Sequence, residues 1–169
     1  MPKEETMSEI YRASAFITSD PRLVKLKEYL IDAVRPEMQP QSTLKPPDRD
    51  LLRTLLLEVY TNTKAGLKPD LRDRIINSAL SDLIGYGPID LLLPDPEISE
   101  IMVNGAKHVF VERNGEVLET DVQFDDDEHL LRIIDRIVSP LGRRVDSDNP
   151  TADARLPDGS RVNVVIPPV

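Results

Sequence analysis

An α+β fold is predicted, with an N-terminal helical bundle followed by a β-β-β-α-β-β region built on a mostly antiparallel sheet. Two observations carry this expectation. Up to Ile84 the apolar residues recur at helical spacing, and from Gly85 onward short apolar runs are separated by Asn114-Gly115 and Pro157-Asp158-Gly159 turns. A third is the single helical stretch that interrupts those runs between Asp125 and Gly142. Strands first in hairpins and then around one helix give an α+β layer rather than a parallel α/β sheet.

The first helix starts at Asp20, which can cap, with Pro21 at the first helical position. Leu23, Leu26, Leu30, Ile31 and Val34 form its apolar stripe, and Pro36 stops it. Residues 36–47 contain Pro36, Pro40, Pro46 and Pro47 and read as a linker. A second helix opens near Pro47, buries Leu52, Leu55, Leu56 and Val59, and ends before Gly66. A third opens near Asp70, carries Leu71, Ile75, Ala79, Leu80, Leu83 and Ile84, and has Gly85 as a C-terminal glycine. Helices of this length are marginal alone, so their stripes must pack together.

After a short helical turn at 88–93, Ile98–Val103 and His108–Glu112 read as strands joined through Asn104-Gly105. Asn114-Gly115 then predicts a tight hairpin into a third strand, Val117–Phe124. The acidic run Asp125–Glu128 reads as a capped helix start. A divalent-cation site there is the weaker alternative, because the ligands lack a defined spacing. The helix that follows presents Leu130, Ile134, Ile137, Val138 and Leu141 and ends at Gly142. Ala152–Leu156 and Ser160–Ile166 form a last hairpin about Pro157-Asp158-Gly159.

The 169 residues include no cysteine and no tryptophan, so neither disulfides nor thiolate metal sites shape the fold. The absence of an apolar run long enough to span a bilayer, and of a signal pattern over Met1–Glu9, leads to the expectation of a cytoplasmic protein. The net charge of −9 is uneven: residues 1–84 hold 13 acidic and 13 basic side chains, and residues 85–169 hold 17 and 8. Such a field opposes general binding to nucleic acid.

Autonomous nucleotide hydrolysis requires a G-x-x-x-x-G-K-[ST] phosphate loop. None of the seven glycines begins one, and Gly85-Tyr86-Gly87 follows a helix rather than a strand. His108 and His129 lie in different elements and read as surface or capping residues, with no His-x-x-x-His pair for zinc. Asp153 and Asp158 could be drawn as an acid/base pair, but Asp158 is explained by its turn. No catalytic residue and no metal site are expected.

The informative cluster is basic. Arg143 and Arg144 follow the last helix, and Arg155 and Arg161 flank the Pro157-Asp158-Gly159 turn, which sets them about opposite each other. Like charges so placed destabilise a hairpin unless an anion lies between them. Asp146, Asp148 and Asp153 could supply it internally. A phosphate could supply it externally, because arginine forks grip phosphate oxygens bidentately. Two or three such contacts are too few for tight nucleotide binding alone. The cluster would need a second surface.

Gly85-Tyr-Gly-Pro-Ile-Asp-Leu-Leu-Leu93 and Ile98-Ser-Glu-Ile-Met-Val-Asn-Gly105 resemble the opening of the N-domain of CpaF/TadA-type secretion ATPases. Val109-Phe-Val-Glu-Arg113, Leu130–Val138, Pro140-Leu-Gly-Arg-Arg-Val-Asp146 and Asp153-Ala-Arg-Leu-Pro-Asp-Gly-Ser-Arg-Val-Asn163, ending in Ile166-Pro-Pro168, continue the resemblance in the family's order. It covers 70–168, whereas 1–69 is similar to the family's helical extension only in character.

The resemblance implies a hexameric ring ATPase of the type II/type IV secretion superfamily that assembles Tad/Flp pili at the inner membrane. ATP and Mg would lie between an N-domain and a RecA-like C-domain. It further implies that N-domain arginines reach the nucleotide phosphates, here Arg161 and Arg143 or Arg144, with Arg155 a weaker match. Its partners would be its own C-terminal ATPase domain, neighbouring subunits and inner-membrane pilus or secretion proteins. The ATPase domain is absent from this sequence, so the expectation is an excised, non-catalytic N-terminal region with no cofactor of its own. The alternative is a stand-alone interaction or regulatory module of a pilus or secretion system.

Overall fold

The computed structural model describes residues 19–38 and 48–169. The remainder of the proline-rich stretch and the N-terminal residues lie outside it. The described chain forms two compact units, residues 1–125 and 126–169. Residues 69 and 70, between which the helical extension was expected to give way to the N-domain, both lie in the first unit. The helices and the first three strands share one unit.

In the first unit, α1 (Pro21–Val34), α2 (Arg49–Thr63) and α3 (Pro69–Ile84) pack pairwise against one another. Asp20 caps α1 as expected, its carboxylate accepting from the Arg22 amide at 2.9 Å, with Pro21 in the first turn. Asp48 caps α2 in the same way. Arg35–Met38, where the linker was expected to begin, continues α1 as a 3₁₀ turn. The core comprises Leu23, Leu30, Ile31 and Val34 of α1, Leu52, Leu56 and Tyr60 of α2, and Ile75, Ile76, Ala79, Leu80 and Leu83 of α3. Leu26, Leu55, Val59, Leu71 and Ile84, expected inside, are only partly buried. Tyr60 is inside because its hydroxyl accepts the Leu67 amide at 2.9 Å, which satisfies its polar end.

Gly85 is not a left-handed cap. Its φ of −106° is extended, and the fold needs glycine there for space, because a methyl would overlap the Asp90 carboxylate. That carboxylate accepts the Tyr86 amide at 3.1 Å and so fastens the 3₁₀ turn Gly87–Leu91 to the end of α3.

Strands β1 (Ile98–Asn104), β2 (His108–Arg113) and β3 (Glu116–Glu119) form an antiparallel sheet in the order β1-β2-β3. Asn114 and Gly115 have φ values of 53° and 81°, the conformation the tight hairpin demands. β3 is shorter than expected. Pairing ends at Glu119, the Thr120 hydroxyl and amide both donate to the Val109 carbonyl, and the chain leaves the sheet to bury Val122 and Phe124.

In the second unit, Asp126 caps α4 (Asp127–Val138), accepting the His129 amide at 2.7 Å. Its inward residues are His129, Ile133, Ile137 and Val138, a face rotated from the expected one, and Leu141 is exposed. His129, expected as a surface or capping residue, sits in the capped first turn with its side chain buried at 2% exposure. β4 (Thr151–Arg155) and β5 (Arg161–Val165) pair only with each other, and β4 contacts α4. The α+β class and antiparallel pairing are therefore realised in two sheets rather than one.

Candidate anion-binding hairpin

Along β4 and β5, Ala152, Leu156 and Val164 are buried and Ala154 and Val162 are half-buried, while Thr151, Asp153, Arg155, Arg161, Asn163 and Val165 face solvent. The register sets Arg155 directly opposite Arg161 and Asp153 opposite Asn163. The turn that imposes this is held by Asp158, whose carboxylate accepts the Ser160 amide at 2.8 Å, and by the Leu156 amide donating to the Ser160 carbonyl at 2.9 Å. The bond from the Ser160 amide is the first cause of a lowered Asp158 pKa. Asp158 thus holds the turn in the way its place in Pro157-Asp158-Gly159 leads one to expect.

Among the described residues, no carboxylate lies within ion-pairing distance of Arg155 or Arg161. Asp153, the nearest candidate in sequence, accepts from the Asn163 side-chain amide at 3.1 Å instead. Among the described residues, two arginines at directly paired strand positions are left without an internal anion, the arrangement in which an external anion removes a repulsion as well as making bonds.

Arg143 and Arg144 follow α4 and the short 3₁₀ turn after it. The Arg143 amide closes the helix end on the Val138 carbonyl at 3.2 Å, and its side chain makes no ion pair among the described residues. Arg144 has an internal partner, with its Nε 2.6 Å from Asp146 Oδ2. Asp146 also accepts the Asp148 and Asn149 amides, and the Asn149 bonds, before Arg144, hold its pKa below the ordinary carboxylate value. The internal-carboxylate reading therefore holds for Arg144, and no described carboxylate fulfils it for Arg155 or Arg161.

A second charged cluster was not recognised in the sequence. Lys27 of α1 is 1% exposed, and its ammonium lies 2.8 Å from Asp82 Oδ2 and 2.6 Å from Asp125 Oδ2. Burial pulls the Lys27 pKa down, and the two carboxylates together outweigh it and hold it above its ordinary value. A signal was present, because Lys27 lies four residues from both Leu23 and Ile31 on the apolar stripe. Its carboxylate partners are distant in sequence and could not be read from it. Lys107 secures the same region by donating to the Phe124 and Asp125 carbonyls at 3.0 and 2.7 Å.

No helix among the described residues is long and apolar enough to cross a membrane. Comparison with known proteins finds the uncharacterized protein MJ1288 of Methanocaldococcus jannaschii 31% identical over 147 residues, covering 86% of this chain and 56% of that protein. The uncharacterized protein MJ0900 of the same organism is 32% identical over 108 residues, covering 63% of this chain and 19% of its own. Among solved structures, the VirB11 ATPase from the Brucella suis type IV secretion system, in complex with sulphate, is similar at 30% identity and a TM-score of 0.44 over 48% of this chain and 25% of that one. The chain thus spans about half or less of the length of these relatives. The family model described as type II/IV secretion system protein matches residues 82–169, more than half of the sequence, and runs through both hairpins and α4. The chain belongs to the type II/IV secretion system protein family.

Proposed function

We propose that this chain is the non-catalytic N-terminal region of a secretion or pilus-assembly ATPase of the CpaF/TadA type. It works in a hexamer at the cytoplasmic face of the inner membrane. Its arginine hairpin contacts the phosphates of an ATP–Mg complex held by a separate C-terminal ATPase domain. The observation that carries this reading is the exposed, directly opposed pair Arg155 and Arg161, without an internal counter-ion among the described residues. Arg161 is the principal contact and Arg155 its neighbour. Arg143 is available to join them, and Arg144 is already engaged by Asp146.

The hairpin offers charge and hydrogen-bond donors, and no G-x-x-x-x-G-K-[ST] phosphate loop occurs in the sequence. Its contribution is to orient the polyphosphate and to stabilise charge developing on it, the role guanidinium groups play in phosphoryl transfer. Chemistry belongs to the domain that carries the loop.

The test is Arg161→Ala in the full-length protein. We expect ATPase activity to fall by about tenfold or more, while the isolated chain keeps its circular dichroism spectrum and urea midpoint. An unchanged rate removes the clamp role. ATP turnover by the chain alone overturns its assignment as non-catalytic.

A further inference from the structure

The three-stranded sheet has a second face whose composition differs from the first. On one side lie Ile101, Val103, Val109, Val111 and Leu118, with Val109 and Val111 buried. On the other, the register brings Met102 opposite Phe110, and Val117 one pair along on β3, as a diagonal apolar band. Met102 and Phe110 are half-buried, and Val117 is 59% exposed.

Acidic side chains flank this band. Glu100 sits directly opposite Glu112 on one side, and Glu119 sits beside Phe110 on the other. A like-charge pair directly across two strands costs stability, as it does between the arginines of the other hairpin. Here too the compensating charge is missing, because no lysine or arginine among the described residues lies within ion-pairing distance of Glu100, Glu112 or Glu119. Among the described residues the Glu112 carboxylate receives the Ser99 hydroxyl, at 2.9 Å, and Glu119 meets His108 Nδ1, at 2.8 Å. The cations closest in sequence are committed elsewhere: Arg113 to Asp95 and Glu97, and Lys107 to the carbonyls of Phe124 and Asp125.

We infer that this face docks a basic amphipathic helix of a partner protein, whose apolar stripe lies along Met102, Phe110 and Val117 and whose lysine or arginine shoulders meet Glu100, Glu112 and Glu119. The apolar band supplies burial, and the acids on both sides select a helix with cations on both shoulders of its stripe. An anionic lipid surface is disfavoured, since the same carboxylates repel it. The inference is independent of the arginine hairpin.

The probe is a synthetic helical peptide with a leucine stripe flanked by lysines, titrated into the chain and followed by backbone-amide NMR. A counterpart with glutamate in place of every lysine is the control. Binding of the lysine peptide should shift the amides of Met102, Phe110 and Val117, and the glutamate peptide should not bind. Glu100→Gln with Glu112→Gln should weaken binding by about tenfold, and exposed Val117→Ser should weaken it without unfolding the chain. Glu128→Gln, at the start of α4, should leave it unchanged. No binding, shifts centred elsewhere, or equal loss from Glu128→Gln would each overturn the proposal. So would self-association of the chain abolished by Val117→Ser, which would make a second copy the occupant.

Discussion

Replacing Lys27 with methionine removes the ammonium from the buried cluster while keeping an unbranched side chain of similar length on the α1 stripe. Wild-type side-chain exposures are 1% for Lys27, 7% for Asp82 and 5% for Asp125, with N–O separations of 2.8 and 2.6 Å. At such separations and an effective dielectric of about 20, each pair is worth about 6 kcal/mol of gross attraction, against a desolvation cost of several kcal/mol per ion. The difference is small while the cluster is complete. It becomes strongly unfavourable when two carboxylates remain in place without their cation, and breaking a buried pair from one side costs about 3–5 kcal/mol.

The chain has no tryptophan, so urea unfolding is best followed by far-ultraviolet circular dichroism. Lys27→Met should lower the unfolding free energy by that amount, read as a lower urea midpoint with little change in slope. The triple variant with Asp82→Asn and Asp125→Asn should recover at least half of the loss, because it removes the stranded charges. A loss below about 1 kcal/mol, or a triple variant no more stable than the single one, would refute the reasoning. The pH dependence has a definite sign. The folded Lys27 pKa is raised above 10.5, so its contribution is complete below that value and disappears as the pH climbs through the higher folded value. The wild type should lose stability in that alkaline window, and Lys27→Met should lose less.

Gly85→Ala should cost about 1–3 kcal/mol, since the added methyl overlaps the Asp90 carboxylate. In a double-mutant cycle with Asp90→Ala the second Gly85→Ala substitution should cost markedly less, and additive losses would show that the clash is not the cause. Arg161→Glu should stabilise the isolated chain by about half a kcal/mol, because it replaces repulsion opposite Arg155 with attraction. Destabilisation would mean that Arg161 has an internal counter-ion after all.

Local chemistry made much of this legible in advance. Asp20, Asp126 and Asn114-Gly115 act through bonds or dihedrals within a few residues, so their roles follow from type and order alone. The opposed arginines followed in the same way, because a short turn with Asp158 and Gly159 sets the register without help from the rest of the chain. The α4 face was misjudged for the opposite reason. Its apolar residues Leu130, Leu131, Ile133, Ile134, Ile137 and Val138 form an arc broader than the strip that is buried, and which edge of that arc turns inward depends on neighbours that periodicity does not name.

Amino-acid order by itself determined the element types, the hairpin registers, the missing phosphate loop and the resemblance to a secretion family, because each depends on contacts or patterns a few residues long. Only the tertiary structure decided that Lys27 is buried between Asp82 and Asp125, that among the described residues Arg144 is ion-paired while Arg155 and Arg161 are not, and that the strands form two sheets. Those outcomes turn on which charges meet after distant segments pack, and the strength of a charge pair is set by separation and solvent exclusion, neither of which is written in sequence order.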